Sequence, residues 1–159
     1  MSTMASYNSD NMIGKQIGTS IVLSELARGS MAIVFVAFQK TLKRRIAVKI
    51  LPKSFLTNKS AKLFQQEAES AAILSHPNII PIYEVGETKE FLFFTMQLIR
   101  GFPLPQLLNM AQKQVLPSKR LIPLKQTIQF VTQILDALHY AHQQDIIHRD
   151  IKPDNILIE

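Results

Sequence analysis

The chain has 159 residues, 47% of them apolar, which is enough to bury a core and too apolar for a disordered segment. It contains no cysteine, so disulfides and thiolate metal sites are excluded and a reducing, cytoplasmic setting is the simpler expectation. The formal charge is +6, with nine Lys or Arg and no Asp or Glu between Leu26 and Gln66, a positive stretch suited to an anionic partner.

The opening MSTMASYNSDNMIG has no basic stretch followed by an apolar run, and nothing in the chain approaches the ~20 apolar residues that span a bilayer. Neither secretion nor anchoring is expected of this chain. Five short runs rich in β-branched and aromatic residues, 21–26, 33–38, 45–51, 79–85 and 91–98, are expected to form strands. One helix, 59–75, interrupts them, with Asn58 as its expected N-cap. The basic run covers three of these elements but lacks the interleaved aromatics of a base-stacking platform, so nucleic acid is not the expected partner.

Gly101, Pro103 and Pro105 punctuate the chain, and beyond them the pattern turns helical. Leu124, Ile128, Val131, Leu135 and Leu138 follow spacings of four, three, four and three, which describe one helix face over 124–142 that needs a core to cover. The stretch 112–123, with Lys113, Lys119, Arg120 and two prolines, is expected as an exposed loop. Strands followed by helices make an α+β chain.

The residues richest in chemistry come last: His148, Arg149, Asp150, Ile151, Lys152, Pro153, Asp154 and Asn155. An aspartate beside an arginine, with a lysine two residues on and an asparagine five on, gathers a base, two cations and a neutral oxygen ligand. Phosphoryl transfer uses such a set, because it depends on positioning and charge stabilisation. By composition alone the same string is equally a charged turn between a helix and a strand. His139, His142 and His148 lie within ten residues, but no carboxylate or cysteine at a suitable spacing completes a metal shell.

The string HRDIKPDN resembles the catalytic loop of protein kinases. By that resemblance Asp150 accepts the proton of the substrate hydroxyl, Asn155 binds a magnesium ion and Lys152 neutralises the transferred phosphate. A lysine at that place is similar to the serine/threonine-specific branch. His148 positions the loop, and Arg149 pairs with a phosphorylated activation loop. Upstream, Ile46-Ala47-Val48-Lys49 resembles the strand whose lysine reaches the α- and β-phosphates of ATP. Read alone, Lys49 is an ordinary snorkelling surface lysine.

Lys49 then needs a helical glutamate, and Glu67 and Glu69 compete. Leu63, Ala71 and Leu74 stand four before, four after and seven after Glu67, which puts Glu67 on the apolar face and leaves Glu69 to solvent. The family's phosphate loop, G-x-G-x-x-G-x-V, falls on Ala27, Arg28, Gly29, Ser30, Met31, Ala32, Ile33 and Val34, so only the middle glycine remains. Alanine at an outer position costs ~1 kcal/mol or more if a left-handed backbone is required there. Val34 and Ala47 line the adenine slot by resemblance, Met96 is the gatekeeper, and Gln97 and Leu98 form the hinge. His76-Pro77-Asn78-Ile79 resembles the turn after the regulatory helix.

The resemblance implies a five-stranded antiparallel N-lobe with one regulatory helix, then an incomplete helical C-lobe. Residues 1–18 are an extension, 19–98 the N-lobe with hinge, and 99–159 the beginning of the C-lobe. No Asp-Phe-Gly follows Asn155, so the reading frame is expected to continue into one. Three functions stand: an ATP- and Mg2+-dependent serine/threonine protein kinase acting on a protein substrate, present here as an inactive fragment; a kinase-like module that binds nucleotide or another kinase chain without transfer; and a basic nucleic-acid-binding domain. Intact Lys49, Asp150 and Asn155 favour the first.

Overall fold

The computed structural model describes residues 8–29, 32–114 and 121–159. The chain forms two compact units, one of residues 1–75 and 80–98, the other of residues 76–79 and 99–159.

The first unit is a six-stranded antiparallel sheet and one helix. Its strands are β1 (Gln16–Ile17), β2 (Ser20–Arg28), β3 (Ile33–Gln39), β4 (Arg44–Pro52), β5 (Ile82–Glu87) and β6 (Phe91–Met96), in the order β1-β2-β3-β4-β6-β5. All five expected strands form. The additional β1 is two residues long and pairs Gln16 with Ile21 and Ile17 with Ser20, too short for any periodicity to announce it. It draws the end of the expected extension into the sheet, with Met12 and Ile17 buried. The strand expected from residue 79 begins at Ile82, because a turn closes from Ile79 N–H to His76 O and Pro81 has no N–H to give a ladder.

In β3 the burial alternates residue by residue, the period-two signature of a sheet with one face fully covered and the other partly so. Ile33, Phe35, Ala37, Ile46, Val48 and Ile50 turn to one face, where Met12, Val22, Phe91 and Phe93 complete a core. The other face is covered by helix α1 (Asn58–Ala72), through Phe64 and Ala68 against Leu51 and Phe94. The Phe64 and Phe94 rings lie 5.0 Å apart, centroid to centroid.

The N-cap of α1 is Thr57, one residue before the expected Asn58. Its side chain accepts from Ser60 N–H at 3.0 Å, and its own N–H donates to Ser60 Oγ at 2.9 Å, a reciprocal cap in which serine takes the place of the usual glutamate. Asn58 is already helical. The helix stops at Ala72, three residues short of the expected end.

The second unit contains β7 (Phe102–Pro103), α2 (Leu104–Gln112), α3 (Leu124–Gln143), a single turn at Pro153–Asn155 and β8 (Leu157–Ile158), which pairs antiparallel with β7. Of the expected loop 112–123, residues 115–120, including Lys119 and Arg120, lie outside the described residues. Helix α3 spans the expected range, but of its expected face only Leu138, near the C-terminal end, is half-buried. Leu124, Ile128, Val131 and Leu135 are 74%, 56%, 49% and 60% exposed; the side turned inward carries Phe130, Ile134, Ala137 and Ala141. Both stripes are apolar, and spacing alone does not rank them. Among the described residues, no helix is long and apolar enough to cross a membrane.

Candidate active site

The singled-out residues fall into two groups, one per unit. In the first, strand pairing sets the arrangement. Ala27 stands opposite Val34, Val34 opposite Lys49 and Lys49 opposite Phe94, while Ala47 stands opposite Met96. Directly paired residues share a face, as do residues two apart. Ala27, Val34, Ala47, Lys49 and Met96 therefore occupy one face of the sheet, the face that α1 partly covers. Ala47 is buried, and Val34 and Met96 are half-buried. Gln97 and Leu98 follow β6, where Gln97 N–H donates to Pro81 O at 3.2 Å.

Lys49 Nζ meets both carboxylate oxygens of Glu67, at 2.5 and 2.7 Å, and stands 5.5 Å from the Phe94 ring centroid. Glu69 instead accepts from Gln65 Nε2 at 2.7 Å. The pairing agrees with the sequence argument, but the helix face differs. The buried stripe of α1 is Ser60, Phe64 and Ala68, whereas Leu63 is 43% exposed. Glu67 lies at the border of that stripe, close enough to reach over the sheet to Lys49.

Gly29 N–H donates to Ala32 O at 2.9 Å and closes the hairpin between β2 and β3. Ser30 and Met31 lie outside the described residues. Among those described, the non-glycine residues with positive φ are Lys43, Asp145 and Arg149. Neither Ala27 nor Ala32 needs a left-handed backbone, so the cost considered for the missing outer glycines does not arise; Ala32 is instead buried beside Leu51 and Phe64.

In the second unit the loop after α3 gathers the polar residues around Asp150. Lys152 Nζ lies 2.9 Å from Asp150 Oδ2. Asn155 Nδ2 donates to the same oxygen at 3.1 Å and to the Asp150 carbonyl at 2.8 Å. His148 Nδ1 accepts from Asp150 N–H at 3.3 Å, and Arg149 takes φ 62°. Hydrogen bonds from Lys152 and then Asn155 hold the Asp150 carboxyl below its ordinary range, and the same contact with Asp150 raises Lys152. With both amide protons of Asn155 given to Asp150, its oxygen Oδ1 is the atom left to face a hard cation. No cluster of three His, Cys, Asp or Glu suited to a metal occurs among the described residues.

Phe94, which backs Lys49, is a site residue that the sequence did not single out, and His76, expected only as part of a turn, has its Nε2 3.2 Å from Asp136 Oδ2 and its ring stacked on Tyr140 at 5.3 Å. Phe94 could have been found from its place opposite Lys49; nothing local pairs His76 with residues sixty positions on.

A family model described as "Protein kinase domain" matches residues 21–159. The chain belongs to the protein kinase family. Curated relatives of this kinase chain include the serine/threonine-protein kinase PrkC of Bacillus subtilis, 36% identical over 93% of this chain and 22% of the relative. PknD of Chlamydia muridarum, also a serine/threonine-protein kinase, is 35% identical over 84% of this chain and 15% of the relative. The crystal structure of the Mycobacterium tuberculosis PknI kinase domain superimposes with TM-score 0.75 at 28% identity, covering 91% of this chain and 55% of that one. The kinase chain thus spans about a fifth of the length of PrkC and just over half of the PknI domain.

Proposed function

We propose that this chain supplies the ATP-gripping lobe and the catalytic loop of an ATP-dependent serine/threonine protein kinase that acts on a protein substrate. The observation that carries the reading is Asp150 itself, an exposed carboxylate kept ionised by Lys152 and Asn155. An ionised carboxylate can take the substrate hydroxyl proton as the oxygen attacks. Lys152 neutralises charge on the transferred group, and Lys49, held by Glu67, orients the α- and β-phosphates. Asn155 would hold a magnesium ion through Oδ1, and the ion would supply positive charge to offset that of the phosphates.

Residues 19–98 act as the nucleotide lobe with hinge, with Gly29 nearest the phosphates, Ala27, Val34, Ala47 and Met96 lining the adenine side, and Gln97 and Leu98 presenting backbone groups to the base. Residues 99–159 begin the helical lobe, and residues 1–18 form an extension whose last two strand residues join the sheet. A cytoplasmic setting is proposed on the cysteine-free composition. The alternative, a module that binds nucleotide or another kinase chain without transfer, draws on the phosphate loop, where one glycine of three remains and its N–H is engaged with Ala32.

The test is a comparison of the full encoded protein with its Asp150→Asn variant, using labelled ATP, magnesium and a generic serine/threonine substrate. Transfer is expected to fall by at least ~100-fold, the lower range for loss of a general base, with ATP binding retained. Equal transfer by the two proteins would assign the base elsewhere, and no transfer by either would favour the binding module.

A further inference from the structure

Gly101 lies in the bend before β7, and its importance is one of space. A β-carbon there would overlap the carbonyl oxygen of Ile158, 2.7 Å from the carbonyl carbon and 3.2 Å from Cα of Glu159. Those are backbone atoms, which cannot swing aside as a side-chain tip can. The close approach supports a short ribbon. Phe102 pairs with Ile158 and Pro103 with Leu157, and Leu104 N–H donates to Ile156 O at 2.8 Å. The turn Pro153–Asn155 stands immediately before that ribbon, packed against both β7 and α2. From its last residue the Asn155 amide reaches the carbonyl and Oδ2 of Asp150.

We propose that Gly101 is a positioning residue for the catalytic loop. Its missing side chain lets residues 101–104 close on 156–158, the ribbon fixes the turn at 153–155, and Asn155 thereby holds Asp150 in place. The importance of that hold rests on the reading of Asp150 as the base; the geometry does not, so the test reads geometry.

The measurement is hydrogen exchange in the 15N-labelled 159-residue chain, at the Asn155 side-chain amide and the Leu104 N–H. Gly101→Ala is expected to speed both by about five- to tenfold, the scale of one hydrogen bond. The Ile146 N–H, bonded to Ala141 O at 3.0 Å in the same unit, should keep its rate. Leu104→Pro provides a second route that leaves Gly101 in place, because Leu104 is the first residue of α2, where proline is tolerated, while the ring removes the N–H to Ile156 and sets its Cδ against that carbonyl. It too should speed Asn155 exchange. Unchanged Asn155 exchange in both variants overturns the proposal, as does acceleration in both that includes Ile146, which would make the effect one of general stability. If Gly101→Ala fails to fold, Leu104→Pro decides by the same two readouts. Expected exchange rates in this chain, with no phosphate transfer by the full encoded protein, would sink the functional reading alone.

Discussion

At the scale of single residues, the roles proposed for Lys49 and Asp150 belong to different stages, and their variants should fail differently. Lys49→Met removes the cation proposed to orient bound phosphates, so in the full encoded protein both the KM for ATP and kcat are expected to worsen. Asp150→Asn removes the group proposed to act only in the transition state, so kcat alone should fall. Equal KM effects would merge the two roles. The Asp150 carboxyl also offers a measurement independent of catalysis. Its strongest partner is Lys152, then Asn155, so Lys152→Ala should raise its titration midpoint toward the ordinary carboxylate range, read from the side-chain carboxyl carbon by NMR. The sign follows from the lowered value: the Asp150–Lys152 interaction is fully present above the unfolded midpoint of an aspartate and is lost as pH falls through the lower folded one. A midpoint unmoved by Lys152→Ala would show that the ion pair does not persist in solution. Much of this was legible, because Asp150, Lys152 and Asn155 are close in sequence and a short loop must bring them together. Lys49 and Glu67 required a choice of helix face. The sequence argument chose the right glutamate from Leu63, Ala71 and Leu74, although the packed residues are Phe64 and Ala68.

Elements were legible in proportion to their length and periodicity. The strands of the first unit are rich enough in β-branched and aromatic residues to be read directly, and β3 alternates as well: each inward residue from Ile33 to Gln39 is flanked by less buried ones. What escaped was set by tertiary contact or by single hydrogen bonds. β1 exists because Gln16 and Ile17 find Ile21 and Ser20 across a tight turn, and the start of α1 is decided by Thr57 rather than by its asparagine neighbour. Thr57→Ala should therefore cost about 1 kcal/mol, the usual value of an N-cap, whereas Asn58→Ala should change stability by under ~0.5 kcal/mol, as expected for an exposed helical position. Phe64→Ala should cost about 3 kcal/mol, because it opens a cavity against Phe94. Denaturant unfolding with the slope held constant separates the three. A larger loss at Asn58 than at Thr57 would return the cap to the asparagine.

For the whole 159-residue chain, two apolar stripes on one helix have unequal fates. On α3, Phe130, Ile134, Ala137 and Ala141 turn inward, while Leu124, Ile128, Val131 and Leu135 remain about half to three-quarters exposed. Single exposed apolar residues need no explanation, but these four at helical spacing form a continuous strip, and contiguous exposed apolar surface favours association. The 159-residue chain is accordingly expected to self-associate as its concentration rises. Ile128→Gln together with Leu135→Glu should suppress that association while changing unfolding stability by under ~0.5 kcal/mol per site, because both side chains already face solvent and both replacements are good helix formers. Ala141→Gln is the contrasting control. It forces a long polar side chain into a position that is 5% exposed, so it should cost ~1–3 kcal/mol through overpacking and an ill-satisfied amide. Light scattering across a concentration series, paired with thermal unfolding of each variant, checks the ranking. If the Ile128→Gln, Leu135→Glu protein associates as strongly as the parent, the strip is not the adhesive surface, and the exposed residues on α1 and β2, Leu63 and Leu26, become the next to replace.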